Sequence, residues 1–222
     1  MKKLLVVFML LCSFALFAQD EGGNYGAGSE AKSFYIQPNF GIGAAFYSYG
    51  GYSEYGYKLI DNYLGNQFGI TVGADVVWSV WQNNDVAAGN LYVGADLAFE
   101  YWVPTKHKYD VDPVHVMRLP LQAYVSYEFD VDAGPLAAIG PYFSAGIGLN
   151  FVSFNKDQLE YTMFGEKSKK FQATFRWGLG GSIAFSSNLA LKVGFGGDAG
   201  SAQKTFNWNN NSFFMLEAGY RF

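Results

Sequence analysis

From Phe34 onward, apolar and polar residues alternate with a period of two in eight separate segments. Successive side chains of a β-strand point to opposite faces, so each face can be read on its own. The second segment sets Phe68, Ile70, Val72, Ala74, Val76, Trp78 and Val80 against Gln67, Gly69, Thr71, Gly73, Asp75 and Ser79. The fourth sets Met117, Leu119, Leu121, Ala123, Val125, Tyr127 and Phe129 against Arg118, Gln122, Tyr124, Ser126 and Glu128. Segments beginning at Phe34, Leu91, Phe143, Phe171, Leu189 and Phe214 repeat the pattern. Long connections (47–66, 104–114, 154–169, 198–212) alternate with short ones (82–89, 130–137, 186–188). That rhythm predicts an all-β, antiparallel, up-and-down arrangement of eight strands.

The charges decide what each face meets. Asp75, Asp96, Glu100, Arg118, Glu128, Arg176, Lys192, Glu217 and Arg221 all lie on the Gly-rich face, and no charge lies on the apolar face. A water-soluble sandwich also alternates, but its polar face is the outside and is dressed with Lys, Glu and Thr. Here glycine crowds that face instead, so the polar side is confined. Small and charged side chains together suit the lumen of a narrow barrel whose apolar side meets lipid.

Position along the segments supports the same reading. Phe34, Trp78, Tyr127, Phe129, Phe143, Phe185, Tyr220 and Phe222 gather at one end of the apolar face, and Phe46, Phe68, Phe99, Tyr101, Phe151, Phe171, Phe195 and Phe214 at the other. Ala74, Ala95, Leu121, Ile147, Leu179 and Leu191 lie between. Amphipathic rings prefer the headgroup level, which makes these groups two girdles. Phe175 and Trp177 depart from that order.

Composition narrows the class further. Of 222 residues, 19% are aromatic, far too many for a disordered chain. Lys2 and Lys3, the apolar run Leu4–Phe17 and small Ala18 predict a signal peptide over 1–18. Residues 19–32 form a flexible Gly-rich lead, and 33–222 form the barrel. The only cysteine, Cys12, falls inside the signal, and Leu11 before it argues against lipid attachment. Removing Lys2 and Lys3 from 15 basic residues leaves 13 against 19 acidic, a net charge of −6. No basic patch remains for nucleic acid.

With the signal peptide and eight alternating segments in place, the terminal run Phe214, Leu216, Ala218, Tyr220 and Phe222 carries a resemblance. The mature chain resembles the small eight-stranded outer-membrane β-barrels of Gram-negative bacteria, the OmpA- and OmpX-type superfamily. The resemblance implies a transmembrane barrel with both termini periplasmic, and a C-terminal run read by the barrel-assembly machinery. It further implies contact with outer-membrane lipid and lipopolysaccharide, and a monomer. No further domain is expected beyond the barrel.

Function is read from the lumen and the loops. Five acidic and four basic lumen residues predict a salt-bridged interior that blocks ions. The many inward glycines support an alternative, a cavity or narrow channel for small or apolar solutes. A lipid-modifying enzyme is a second alternative, but the only histidines are His107 and His115, without a catalytic constellation. No cofactor is expected, and Asp110-Val-Asp112 and Asp130-Val-Asp132-Ala-Gly134 lack the EF-hand spacing and read as Asx-type turns. The Tyr-rich first loop, with Tyr49, Tyr52, Tyr55 and Tyr57, offers contact area at little entropic cost. It is a candidate for adhesion or ligand contact.

Overall fold

The computed structural model describes residues 34–47, 66–83, 88–104, 115–153, 171–200 and 211–222. The signal and lead segments, His107 and the loop tyrosines Tyr49, Tyr52, Tyr55 and Tyr57 lie outside them. Eight strands follow in order: β1 (Phe34–Tyr47), β2 (Gln67–Asn83), β3 (Gly89–Pro104), β4 (His115–Ala133), β5 (Leu136–Ser153), β6 (Phe171–Phe185), β7 (Leu189–Ala199) and β8 (Asn211–Tyr220). Each pairs antiparallel with its neighbours, and β8 closes on β1, giving a closed barrel. Closure leaves no open sheet edge, so backbone donors and acceptors are consumed within the ladder.

The alternation sorts side chains as the sequence predicts. Phe40, Ile70, Leu97, Leu121, Ile147, Phe175, Phe195 and Leu216 are exposed on the outside, while Gln37, Thr71, Glu100, Arg118, Ser144, Arg176 and Lys192 are buried within. The core of this molecule is therefore polar and its surface apolar. Rings meet on the outer face near the turn end, at Phe34–Trp78, Trp81–Tyr127 and Tyr220–Phe222, and near the loop end, at Phe151–Phe171. Trp177 and Phe195 form an edge-to-face pair between the two groups.

The turns follow local chemistry. Between β6 and β7, the Asn188 N–H donates to Phe185 O at 3.0 Å and Asn188 takes φ 65°, a conformation that asparagine tolerates better than most residues. Between β4 and β5, Gly134 takes φ 65° and Pro135 completes a two-residue connection. Open space surrounds the position of a Cβ there, so the need for glycine is conformational.

Three boundaries differ from the sequence reading. First, β5 starts at Leu136, not Phe143, because Gly140 and Pro141 imitate a turn. In the barrel Gly140 is buried against the Tyr127 carbonyl, and the β4–β5 ladder skips from Ser126↔Tyr142 to Phe129↔Ile139 around Pro141, which has no N–H to give. Second, Asp130 lies within β4, not in a turn, and its N–H donates to Ala88 O at 2.9 Å. Third, β7 runs to Ala199 and β8 begins at Asn211, which brings Asp198 and Asn211 inside from the expected fourth loop.

Candidate functional site

The chemistry of this chain lies in the lumen, and it is layered. Toward the loop end, Arg176 bridges Glu100 and Asp198, the second at 3.0 Å, while Arg118 meets Asp198 at 3.5 Å. Trp102 donates its indole N–H to Glu100 at 2.9 Å, and Thr174 donates to Asp198 at 3.2 Å. The guanidinium of Arg118 lies 5.1 Å from the Trp102 ring, and that of Arg176 lies 4.0 Å from Phe213. Two carboxylates therefore meet two guanidiniums, and flat rings cover both cations.

Toward the turn end a second layer is built on Arg221. It makes a two-pronged pair with Glu128 at 2.7 and 2.6 Å and donates Nε to Gln37 at 2.8 Å. Ser182 adds a hydroxyl to Glu128 at 3.2 Å. Tyr35 lies under the Arg221 guanidinium at 4.6 Å and packs with Val77, Tyr92 and Tyr124 as the apolar part of the plug, with Tyr142 against them. The pair joins β4 to the chain segment after β8, across the interior.

Between the layers, Lys192 reaches Asp75 at 2.8 Å and Glu217 at 3.2 Å. Gln37 and Asn39 donate to the same Asp75 carboxylate, at 3.3 and 3.0 Å. Asp96 stands directly opposite Asp75 in the β2–β3 register and lines a cavity of about 30 Å³. All nine charged residues read from the sequence thus point inward. Eight of them enter direct ion pairs, and Asp96 does not.

At several inward glycines a neighbouring side chain occupies the space that the missing Cβ vacates. A Cβ at Gly69 would overlap the Trp102 ring, one at Gly196 would lie 2.5 Å from Phe213 Cζ, and one at Gly43 would lie 2.5 Å from Met215 Sδ. Gly194 gives way to the Tyr142 hydroxyl in the same manner. Trp102 is the largest fully buried side chain among the described residues. In an eight-stranded barrel the interior is only wide enough for side chains to fill, and here every strand sends buried side chains into it.

Sequence reasoning missed Asp198, although its signal was present. Lys192, Gly194, Gly196 and Asp198 keep one parity, and the strand continues as long as that parity does. Of the two histidines, His115 sits on the outer face at the loop end. Its Nδ1 lies 2.7 Å from the Tyr101 hydroxyl, with the rings stacked at 5.5 Å. Among the described residues no group of three or more His, Cys, Asp or Glu is placed to hold a metal ion.

The terminal run falls partly on β8, where Phe214, Leu216, Ala218 and Tyr220 face outward. Beyond it the Phe222 N–H donates to Ile36 O at 3.0 Å, extending the seam to β1.

No protein-family model matches the sequence, and no curated protein sequence does. Among solved structures, the chain is similar to Ail, the attachment invasion locus protein of Yersinia pestis, at 14% identity and a TM-score of 0.44, covering 86% of this chain and 100% of that one. It is similar to Neisserial surface protein A at 19% identity and a TM-score of 0.47, covering 87% of this chain and 98% of that one. It is also similar to the outer membrane enzyme PagL at 16% identity and a TM-score of 0.43, covering 83% and 98%.

Proposed function

We propose that this protein is an integral outer-membrane β-barrel with a closed lumen, which contributes to envelope structure and displays four connections at the cell surface. One observation carries the reading: among the described residues the lipid-height outward positions of the strands are apolar, while Glu100, Arg118, Glu128, Arg176, Lys192 and Arg221 are buried within. In water such an exterior would be one continuous apolar surface, far larger than the few hundred Å² that soluble monomers expose. In a bilayer it is the expected surface. A span of the hydrocarbon needs about 9–11 tilted residues, and even the 10-residue β8 supplies them. The short turns and both chain ends then face the periplasm, and the barrel-assembly machinery reads the run ending at Phe222.

On this reading the protein is not an enzyme. Its outer surface contacts lipid and lipopolysaccharide, and the tyrosines of the first loop are the residues assigned to surface contact. Adhesion through that loop requires that deleting residues 50–62 abolish surface binding; unchanged binding removes it.

Cell fractionation and planar-bilayer recording test the whole proposal. The protein should remain with the membrane through a high-pH wash and show no discrete openings. Arg176→Ala, which removes the link between Glu100 and Asp198, should introduce them. Recovery in the soluble fraction overturns the location, and reproducible openings in the unaltered protein overturn the closed lumen.

A further inference from the structure

On the outer wall of the barrel, one polar pair interrupts the apolar surface at the loop end. Tyr101 on β3 and His115, the first residue of β4, both face outward and are half-buried. Their rings stack at 5.5 Å with 12° between the planes, and His115 Nδ1 lies 2.7 Å from the Tyr101 hydroxyl. The outward positions around them, Phe68, Ile70, Phe99, Met117 and Phe151, are apolar, and among the described residues no carboxylate faces outward there. Residues 116–126 separate His115 from Tyr127 of the opposite girdle, which matches the about 9–11 residues of one tilted crossing. On the outer-membrane reading, on which this inference rests, the pair therefore stands at the headgroup level of the outer leaflet.

The hydrogen bond within the pair fixes what the imidazole offers to its surroundings. A phenol is a strong donor and an unprotonated ring nitrogen a strong acceptor, so the Tyr101 hydroxyl donates to Nδ1 and the proton of neutral His115 sits on Nε2. A second proton on the ring reverses that bond and leaves the hydrogen on Nε2 in place. In both states His115 presents an N–H donor on the side of its ring away from the Tyr101 hydroxyl, and the stacked partner holds the imidazole in that orientation. Among the described residues no hydrogen bond reaches Nε2. The ladder consumes the neighbouring backbone carbonyls, so the acceptor comes from the lipid. An anionic phosphate oxygen is the strongest acceptor at that level, because a charged partner roughly doubles a hydrogen bond.

We infer that Tyr101 and His115 form a recognition site for the phosphate of an outer-leaflet lipid headgroup. His115 Nε2 is the donor, and Tyr101 is the residue that positions it. Leu97 and Phe99 on β3, with Met117 and Leu119 on β4, continue the outward wall beneath the pair. The acyl chains of the same lipid lie against that wall, so one molecule meets a donor at its headgroup and an apolar surface along its tails.

The test titrates phosphorylated and dephosphorylated lipid A against the detergent-solubilised full chain and counts bound lipid by native mass spectrometry. The unaltered protein should bind the phosphorylated lipid at least about tenfold tighter, the expected worth of one hydrogen bond to a charged group. His115→Phe keeps a stacked ring without the donor and should erase that preference. Tyr101→Phe releases the imidazole and should lose part of it; an unchanged preference there overturns the role given to Tyr101. Equal affinity for the two lipids overturns the site, and so does a preference that survives His115→Phe. Inorganic phosphate at matched concentration should not displace the lipid, and displacement overturns the headgroup assignment in favour of free phosphate. Should His115→Phe fail to fold, the Nε2 NMR signal of a His107→Ala chain decides: movement with phosphorylated lipid A alone supports the site, and an unmoved signal removes it. A protein that lacks the preference but stays with the membrane on fractionation loses this site and keeps its location, whereas recovery in the soluble fraction removes both.

Discussion

At the scale of single residues, the account rests on charges that would be costly if left alone. Arg221 and Glu128 are each almost fully buried and bind each other through two hydrogen bonds. Removing one partner strands the other in a medium that solvates it poorly. Arg221→Met should therefore cost about 3–5 kcal/mol of stability, read by urea unfolding in detergent. The double variant Arg221→Met/Glu128→Leu should recover most of that loss, because an apolar pair of similar volume needs no compensation. If the double variant is as unstable as the single one, the pair matters through shape and not through charge.

Packing at the glycines gives a second residue-scale prediction. Gly69 lies beneath the ring of Trp102, which is fully buried. Gly69→Ala should cost about 1–3 kcal/mol as overpacking, and Trp102→Phe in the same chain should restore part of it. The check is the unfolding midpoint of the two variants together. Additive losses would mean that the ring does not fill the space left by Gly69.

At the scale of elements, the tight β6–β7 turn depends on one left-handed residue, Asn188, whose carbonyl also accepts the Arg221 N–H at 2.9 Å. Asn188→Gly should be neutral or slightly stabilising, and Asn188→Val should cost about 1–2 kcal/mol, measured by refolding into detergent. Equal stability of the two variants would show that the backbone angle is unimportant.

Elements were also where the sequence was most legible. Eight strands, their facing and their antiparallel order followed from a period of two, because in a closed sheet every residue has only two directions to point. Boundaries were less legible where Gly140, Pro141 and Asp130 borrow the vocabulary of turns while remaining in the ladder. Asp198 was lost with the end of β7 for the same reason. Partners across the lumen were not legible at all. Lys192 and Asp75 are 117 positions apart, and Arg221 and Glu128 are 93 apart. Facing says that such residues share an interior, but only the register and curvature of eight strands say which of them touch. The cavity beside Asp96 belongs to this class, since Tyr142, Arg176, Lys192 and Glu217, which line it with Asp96, come from four other strands.

At the scale of the molecule, an inverted distribution of polarity links fold and function. A core of ion pairs inside an apolar wall is stable only if the wall is not in water. The tryptophans sample both sides of that wall: Trp177 lies on the outer face between the two aromatic girdles, and Trp102 is sealed in the lumen. The most direct test is fluorescence quenching in vesicles whose lipids carry bromine on the acyl chains, using two variants that retain only one tryptophan each, with the others replaced by Phe. Trp177 should be strongly quenched, and Trp102 should keep its emission. Equal quenching of both, or none at Trp177, would contradict the assignment of the apolar face to lipid and of the charged face to a closed interior.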